Sequence, residues 1–296
     1  MICIFNPEHD LCLANGHRHY VPPSSALAFA ASACGLMRYI YPAATCLPAS
    51  HVGDAYRLTG DEQLIPWGWN AVLKYSLLKQ GIPARLLPSD DTLARWRQLQ
   101  HRTTLLPLQP DSRAVTSVDE VDELLSTHPD VVLKAPWSGS GRGLRWVSQG
   151  LSAHDKAWLV KVVKEQRCVI AEPRWSVQYD FAFEYRIDKG VLTFVGLSLF
   201  DTANGVYRGN RLLSDNAIAR LVGVPQSLRT ELDGWLESNI VPYYQGPLGV
   251  DCICDRHGHF HISEINLRHT MGLVAHEYLR LHPEAEGSRF SPAASQ

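Results

Sequence analysis

The sequence predicts a mixed α/β (α+β) protein in two main parts, and three observations carry that prediction. Helix and strand patterns alternate over residues 1–105, as they do in a small α/β domain. The stretch Leu105-Leu106-Pro107-Leu108-Gln109-Pro110 then interrupts the periodicity with prolines and marks a candidate boundary. Beyond it strand patterns dominate and end in a hairpin-like run from Gly249 to Glu264. A chain of 296 residues is long enough for about two domains with a sizeable core.

Taken in order, Ile2 to Phe5 is a short apolar run closed by Asn6-Pro7, a buried first strand and its turn. Ser24 to Tyr39 carries Ala, Leu and Phe at helical spacing behind Pro22-Pro23 and Ser24-Ser25, which suit a helix start. Asn70 to Gln80 reads as a further helix stopped by Gly81, and Ile82 to Pro88 as a strand leading into a loop. Past the boundary, Ser117 to Ser126 is helical with acids in its first turns, where the helix dipole favours them. Val131 to Lys134 and Val169 to Ala171 read as strands. Phe181 to Ile187 and Val191 to Leu199 read as an antiparallel pair, and Leu228 to Ile240 as a helix. The tail, residues 283–296, is rich in Glu, Ser, Pro and Ala and is expected to be disordered. No internal repeat is present.

Composition narrows the function classes. Hydrophobic residues at 45% and charged residues at 20% suit a soluble globular protein, and a net charge of -2 argues against a large basic field. Nucleic acid and membrane are therefore not the expected partners. Small anionic ligands are, because they need only a few placed cations. Seven cysteines are scattered with no C-x-x-C spacing, which favours reduced thiols over a disulfide framework or zinc site. The opening MICIFNPEHDLCLANG lacks the basic start and apolar run of a signal peptide, and no run approaches the ~18 apolar residues of a membrane span. A cytoplasmic location is the expectation.

The strongest chemistry lies in GVDCICDRHGHFHISEINLR, residues 249–268. With His257-Gly258 as a two-residue turn, Gly258 occupies a position that needs positive φ. Arg256 then faces His259, Asp255 faces Phe260, and the register carried outward sets Asp251 opposite Glu264. Asn266, two residues on, shares the face of Glu264. Two carboxylates facing across a ladder repel. A cation between them removes the repulsion, and oxygen ligands of this kind suit magnesium arriving with nucleotide phosphates. Arg268, two further on, adds a positive charge on the same side. An ordinary surface hairpin would also place its acids this way. His257, His259 and His261 alternate along the same run, a pattern that transition metals use but that solvent-facing histidines show more often.

A second signal is VVLKAPWSGSGRGLRWV, residues 131–147. A strand delivers Lys134, and Ser138, Gly139, Ser140, Gly141, Arg142 and Gly143 follow. Alternating glycines let backbone amides approach phosphate oxygens. The stretch matches neither the Gly-Lys-Ser/Thr phosphate loop nor the dinucleotide fingerprint. Alone, it also reads as a plain flexible loop.

The strand lysine, the Ser/Gly-rich stretch and the Asp–Glu-x-Asn hairpin, in this order, resemble the ATP-grasp superfamily, whose members include biotin carboxylase, D-alanine–D-alanine ligase and glutathione synthetase. Glu264 to Arg268, E-I-N-L-R, is similar to that family's E-x-N-x-R segment, and the likeness runs from about residue 105 to 275. It implies a pre-grasp α/β domain over 1–105, a small grasp subdomain over 106–172 and a large one over 173–282. It further implies that Lys134 binds the α/β-phosphates of ATP, that residues 138–143 cover the β/γ-phosphates, and that Glu172 stands at the adenine hinge. Read on its own, Glu172 is better taken as a solvated strand end. Asp180 stands where the family often has a ribose-binding carboxylate, although QYDFAFEY also permits Glu184. Asp251, Glu264 and Asn266 would hold Mg2+, with Mn2+ as a substitute. Family members often carry another lysine near the opening of the grasp. Here the nearest cation is Arg102, which does not interchange freely with lysine.

The implied activity is ADP-forming: ATP phosphorylates a small-molecule carboxylate, and an amine or thiol attacks the acylphosphate. Arg268 would steady the transferred phosphoryl group. A small-molecule kinase and a non-catalytic ATP-binding module are the alternatives. Residues 201–211, with Arg208 and Arg211, read as a lid or substrate loop or as solvated surface. The polar segment Asn6-Pro7-Glu8-His9-Asp10, following an apolar strand, is placed by topology near an acceptor site. Many relatives are dimers, and among the eight tryptophans Trp67 and Trp69 offer apolar surface or core.

Overall fold

The computed structural model describes residues 1–60, 63–138 and 143–291. The chain opens with β1 (Ile2–Phe5), α1 (His9–Asn15), α2 (Ser24–Ala33), β2 (Thr45–Pro48), α3 (Val52–Thr59), β3 (Leu64–Pro66), α4 (Ala71–Lys79) and α5 (Asp90–Leu99). Three parallel strands in the order β2-β1-β3 make the first sheet, with β1 in the middle. All four residues of β1 are buried, as a central parallel strand requires. Helix α4 is capped by the Asn70 side chain, which accepts from Leu73 N at 2.9 Å.

One expected element is absent. Residues 82–88 form no strand; Ala84–Leu86 is a 3₁₀ turn instead. Pro83 and Pro88 remove ladder donors, and Ile82 and Leu87 serve as core plugs against Ile2, Ile4 and Leu77. The edges of the first sheet are taken by β2 and β3, whose three- and four-residue lengths leave little periodicity to read.

A 3₁₀ segment, Arg102–Leu108, carries the chain into β4 (Arg113–Val115), α6 (Val118–Thr127), β5 (Asp130–Lys134), β6 (Leu144–Ser148), α7 (Ala153–Gln166) and β7 (Val169–Pro173). These strands form an antiparallel sheet in the order β4-β7-β5-β6, packed on α6 and α7 through Val121, Leu124, Leu159 and Val162.

The remaining elements are β8 (Val177–Asp188), β9 (Val191–Ala203), β10 (Val206–Arg211), α8 (Asp215–Val222), α9 (Gln226–Asn239), β11 (Gly246–Asp255), β12 (Phe260–Asn266), α10 (Met271–Leu281) and β13 (Arg289–Phe290). The third sheet has the order β12-β11-β8-β9-β10-β13. Alternation divides it cleanly. Phe181, Phe183, Tyr185, Leu197, Leu199, Val250 and Ile265 face a core closed by Leu232 and Leu236 of α9. Asp180, Ala182, Glu184, Ser198, Phe200 and Thr202 line a large cavity on the other face.

Two further expectations are corrected here. Residues 201–211 are not a loop: β9 and β10 continue through a two-residue turn in which Asn204 and Gly205 have φ of 51° and 73°. The Asn-Gly pair supplies the left-handed conformations that this hairpin turn demands. Arg208 is exposed, and Arg211 pairs with Asp201 at 2.7 Å, so neither lines the cavity. The tail is ordered through Ser291, because Arg289–Phe290 adds an edge strand to β10 and Phe290 is buried against Tyr39 and Tyr278. Trp67 lies in the core, and Trp69 packs against the first sheet's other core.

At the start of α10, Gly272 lies directly over Glu184 and Ser198, and a Cβ there would overlap both side chains. Glu184 cannot yield easily, since it is buried and accepts from Ser198 Oγ at 2.9 Å and Thr270 Oγ1 at 2.7 Å. Gly272→Ala is expected to cost about 1–3 kcal/mol of stability by overpacking, read as a lowered urea midpoint. An unchanged midpoint would mean that α10 slides freely at this contact.

Candidate active site

The cavity, about 1160 Å³, runs between the second and third sheets and ends against the first. Its walls include Lys134, Ser138, Glu172, Asp180, Asp251, Glu264, Asn266, Arg268 and Arg102, together with Asp10. Of the expected site residues, Gly139, Ser140, Gly141 and Arg142 lie outside the described residues. Gly143 packs its backbone on Ser138 and Ala135, and its carbonyl accepts from Ala135 N at 2.8 Å, closing the base of the β5–β6 connection.

The acid pair stands where its register predicts, by a different route. Asp251 faces Glu264, but Cys254 faces Phe260 and Ile253 faces His261, one residue out of the expected step. The turn at Asp255–Gly258 is closed by a bond from Gly258 N to Asp255 O, and Gly258 has φ 81°. Asp255 then accepts from the backbone of His257 at 2.8 Å and of His259 at 2.9 Å, and its own N donates to His259 O at 2.9 Å, so the loop holds the three residues 256–258, one more than expected. A bulge between Asp251 and Cys252 restores the offset. The extra residue is Ser263, which faces the cavity and accepts from Lys134 Nζ at 3.1 Å. The imidazoles of His259 and His261 lean on the Asp255 carboxylate at 3.4 and 3.3 Å. His261 stacks on Trp175, their rings 3.7 Å apart.

Burial pushes the Asp251 carboxyl up to about 8, and the Glu264 and Glu184 carboxylates add to the effect. Two acids and an amide meet here. Among the described residues no group of three or more His, Cys, Asp or Glu is placed to hold a metal. Asn266 donates from Nδ2 to Asp251 at 3.1 Å and accepts at Oδ1 from Arg268 at 2.8 Å. It therefore joins the patch as a donor, where the sequence suggested a third converging oxygen.

Three cations serve this patch. Arg102 reaches Glu264 Oε2 at 2.7 Å and also donates to Ala135 O at 2.5 Å and Ser138 Oγ at 2.8 Å. Arg268 forms a two-pronged pair with Asp10, Nε to Oδ1 and Nη2 to Oδ2, both 2.9 Å. Burial raises the Asp10 carboxyl, but the Arg268 charge outweighs it and holds Asp10 below its usual range. Lys134 pairs with Glu172 at 2.5 Å, and both side chains are more than nine-tenths buried. Glu172 is thus a buried ion-pair partner rather than a solvated strand end. Asp180 accepts from Thr202 Oγ1 at 2.7 Å, and burial raises its carboxyl. Glu184, four residues along the same face, is committed to the start of α10.

The sequence marks Asp10 only as part of a polar segment. The structure shows why that segment is polar. Asn6 clamps Gly68, donating to its carbonyl at 2.9 Å, and His9 is buried between Asn70 and Gln100. Burial lowers His9 to about 4, so it is neutral at pH 7. These two fix the turn after β1 and leave Asp10 pointing into the cavity. Ser263 and Thr202 carried no sequence signal as single hydroxyl residues, whereas Ser138, expected over the phosphates, lines the cavity and accepts from Arg102.

Removing one partner of the Lys134–Glu172 pair strands a buried charge. Lys134→Met is expected to destabilise by about 3–5 kcal/mol, and Lys134→Met combined with Glu172→Gln to recover more than half of it in urea titrations. Additive losses in the double variant would show that the pair is not coupled.

No protein-family model matches the sequence, and no curated protein matches it. Solved structures do match in fold. N5-carboxyaminoimidazole synthetase from Staphylococcus aureus, complexed with ADP, is 13% identical with a TM-score of 0.55, over 98% of this chain and 78% of that one. Biotin carboxylase from Campylobacter jejuni, in a β,γ-ATP complex, is 13% identical with a TM-score of 0.57, over 94% and 67%. D-alanyl-alanine synthetase A from Vibrio cholerae is 15% identical with a TM-score of 0.51, over 79% and 74%. The likeness is one of fold, and the chain has the ATP-grasp fold.

Proposed function

We propose that the chain is an ATP- and Mg2+-dependent, ADP-forming ligase. The terminal phosphoryl of ATP passes to a carboxylate oxygen of a small-molecule substrate. An amine or thiol then attacks the acyl carbon of that acylphosphate, and phosphate leaves. The observation that carries this reading is the Asp251–Glu264 pair on the cavity wall, within one cleft with Lys134, Arg268 and Arg102. Two half-buried acids set face to face, one of them lifted to about 8, are what a hard divalent cation would relieve. The donor set fits Mg2+, with Mn2+ as a substitute, once the Asn266 amide turns its oxygen toward Asp251. Such an ion supplies charge neutralisation at the phosphates.

The chain's own residues do the rest. Lys134, released from Glu172, meets phosphate oxygens, and the backbone beyond Glu172 reads the adenine edge. Asp180 accepts from the ribose. Arg268 is held on the cavity wall by Asp10, Asn266 and His269 O, and its charge steadies the transferred group there. The acceptor end lies outside the carboxyl ends of β1 and β3, where Phe5, Pro7, Trp67 and Phe29 line the cavity. In the order β2-β1-β3 the chain leaves the central strand in both directions, which opens a crevice at that end. No side-chain nucleophile is needed, since positioning and charge carry the chemistry.

Calorimetry with a non-hydrolysable ATP analogue tests the site. Binding is expected to depend on Mg2+ and to weaken by about tenfold or more in Glu264→Ala, the loss of one metal contact. Identical binding without metal and in the variant would overturn the metal site and the ligase reading with it. A pH series adds a second check. Below about 8 Asp251 holds a proton that the cation must displace, so Mg2+-dependent binding should strengthen as pH rises from 6.5 to 8.5. A flat profile would mean that Asp251 is not a ligand.

A further inference from the structure

Arg102 has an arrangement that nucleotide binding alone does not require. Its side chain is buried on the 3₁₀ segment that joins the first sheet to the second. Its backbone N bonds Pro136 O at 3.2 Å, and one terminal nitrogen is held by Ala135 O and Ser138 Oγ. The other terminal nitrogen sits on Glu264 Oε2 at 2.7 Å. Its Nε is buried with no hydrogen-bond partner among the described residues. The guanidinium is anchored from one side and presents a fixed positive charge to one member of the acid pair.

We infer that Arg102 is a stand-in cation for Glu264, a positioning residue that keeps free metal off the acid pair until nucleotide arrives. The inference rests on the metal site proposed above. A divalent ion on Glu264 must displace Arg102, and a buried guanidinium left without an anion is costly. Nucleotide phosphates remove that cost, because the freed fork and its unpaired Nε can turn to them. Metal and nucleotide then favour one another through Arg102, and by linkage the coupling is reciprocal. A lysine at this position could not do the same, since a single ammonium cannot span Ala135, Ser138 and Glu264 together.

The test is Mn2+ binding to the whole chain, measured by the electron paramagnetic resonance of free Mn2+, with and without a non-hydrolysable ATP analogue. In the absence of nucleotide, Arg102→Gln is expected to bind Mn2+ about tenfold more tightly than wild type, and the gain in Mn2+ affinity on adding nucleotide should shrink by a similar factor. Arg102→Lys keeps the buried charge and guards against loss of fold, which circular dichroism monitors; it is expected to tighten Mn2+ about threefold. Mn2+ affinity unchanged in both variants, with wild type still showing metal-dependent nucleotide binding, overturns the stand-in role and leaves the metal site intact. Absence of metal dependence in wild type overturns the metal site itself.

Discussion

Two carboxylates held face to face on a strand ladder are the constraint around which the rest of the cleft is organised. Asp251 and Glu264 are set by backbone hydrogen bonds between β11 and β12, so they cannot move apart without breaking the sheet. Like charges at that separation destabilise unless something positive stands near. The chain answers with an arginine on Glu264, an arginine beyond Asn266 and a lysine above Ser263. Each of these cations has an anchor elsewhere.

Those anchors also tie the layers together. Arg268 of the third sheet is gripped by Asp10 from the first, and Arg102 links the 3₁₀ connection to both β5 and β12. Gln109 donates to Ile262 O at 2.6 Å and fastens the same connection to the hairpin. The proline-rich stretch that reads as a boundary in sequence is therefore also a structural contact against the hairpin that carries the acids. Polar residues concentrate on one face of the third sheet because its other face is spent on the main core. The cavity is what remains when two half-polar sheets face each other across charged walls.

Period-two alternation made much of this legible. In QYDFAFEY the apolar residues point to the core and the acids to the cleft, and the pattern alone places Asp180 and Glu184 on one face. It does not say that Glu184 is consumed by the start of α10 while Asp180 keeps its cavity position, because α10 lies some ninety residues away in sequence. The hairpin shows the limit more sharply. The acids face each other as expected only because a turn one residue longer and a compensating bulge offset one another, and neither the Asp255 cap nor the Ser263 bulge has a periodic signature. The Asn204-Gly205 turn was written plainly in the sequence, yet the polar residues around it resemble a loop until the strands on either side are counted.

By itself the sequence determined several of the helices and strands, the strand that delivers Lys134, the hairpin that carries Asp251, Glu264 and Asn266, and the charge balance that favours small anionic ligands. These follow from local periodicity and residue chemistry, which need no knowledge of distant neighbours. Only the tertiary structure decided how the charges pair: Arg268 with Asp10, Lys134 with Glu172, Arg102 with Glu264. Pairing depends on which side chains the packed sheets bring within about 3 Å of one another, across sequence separations that no pattern along the chain records.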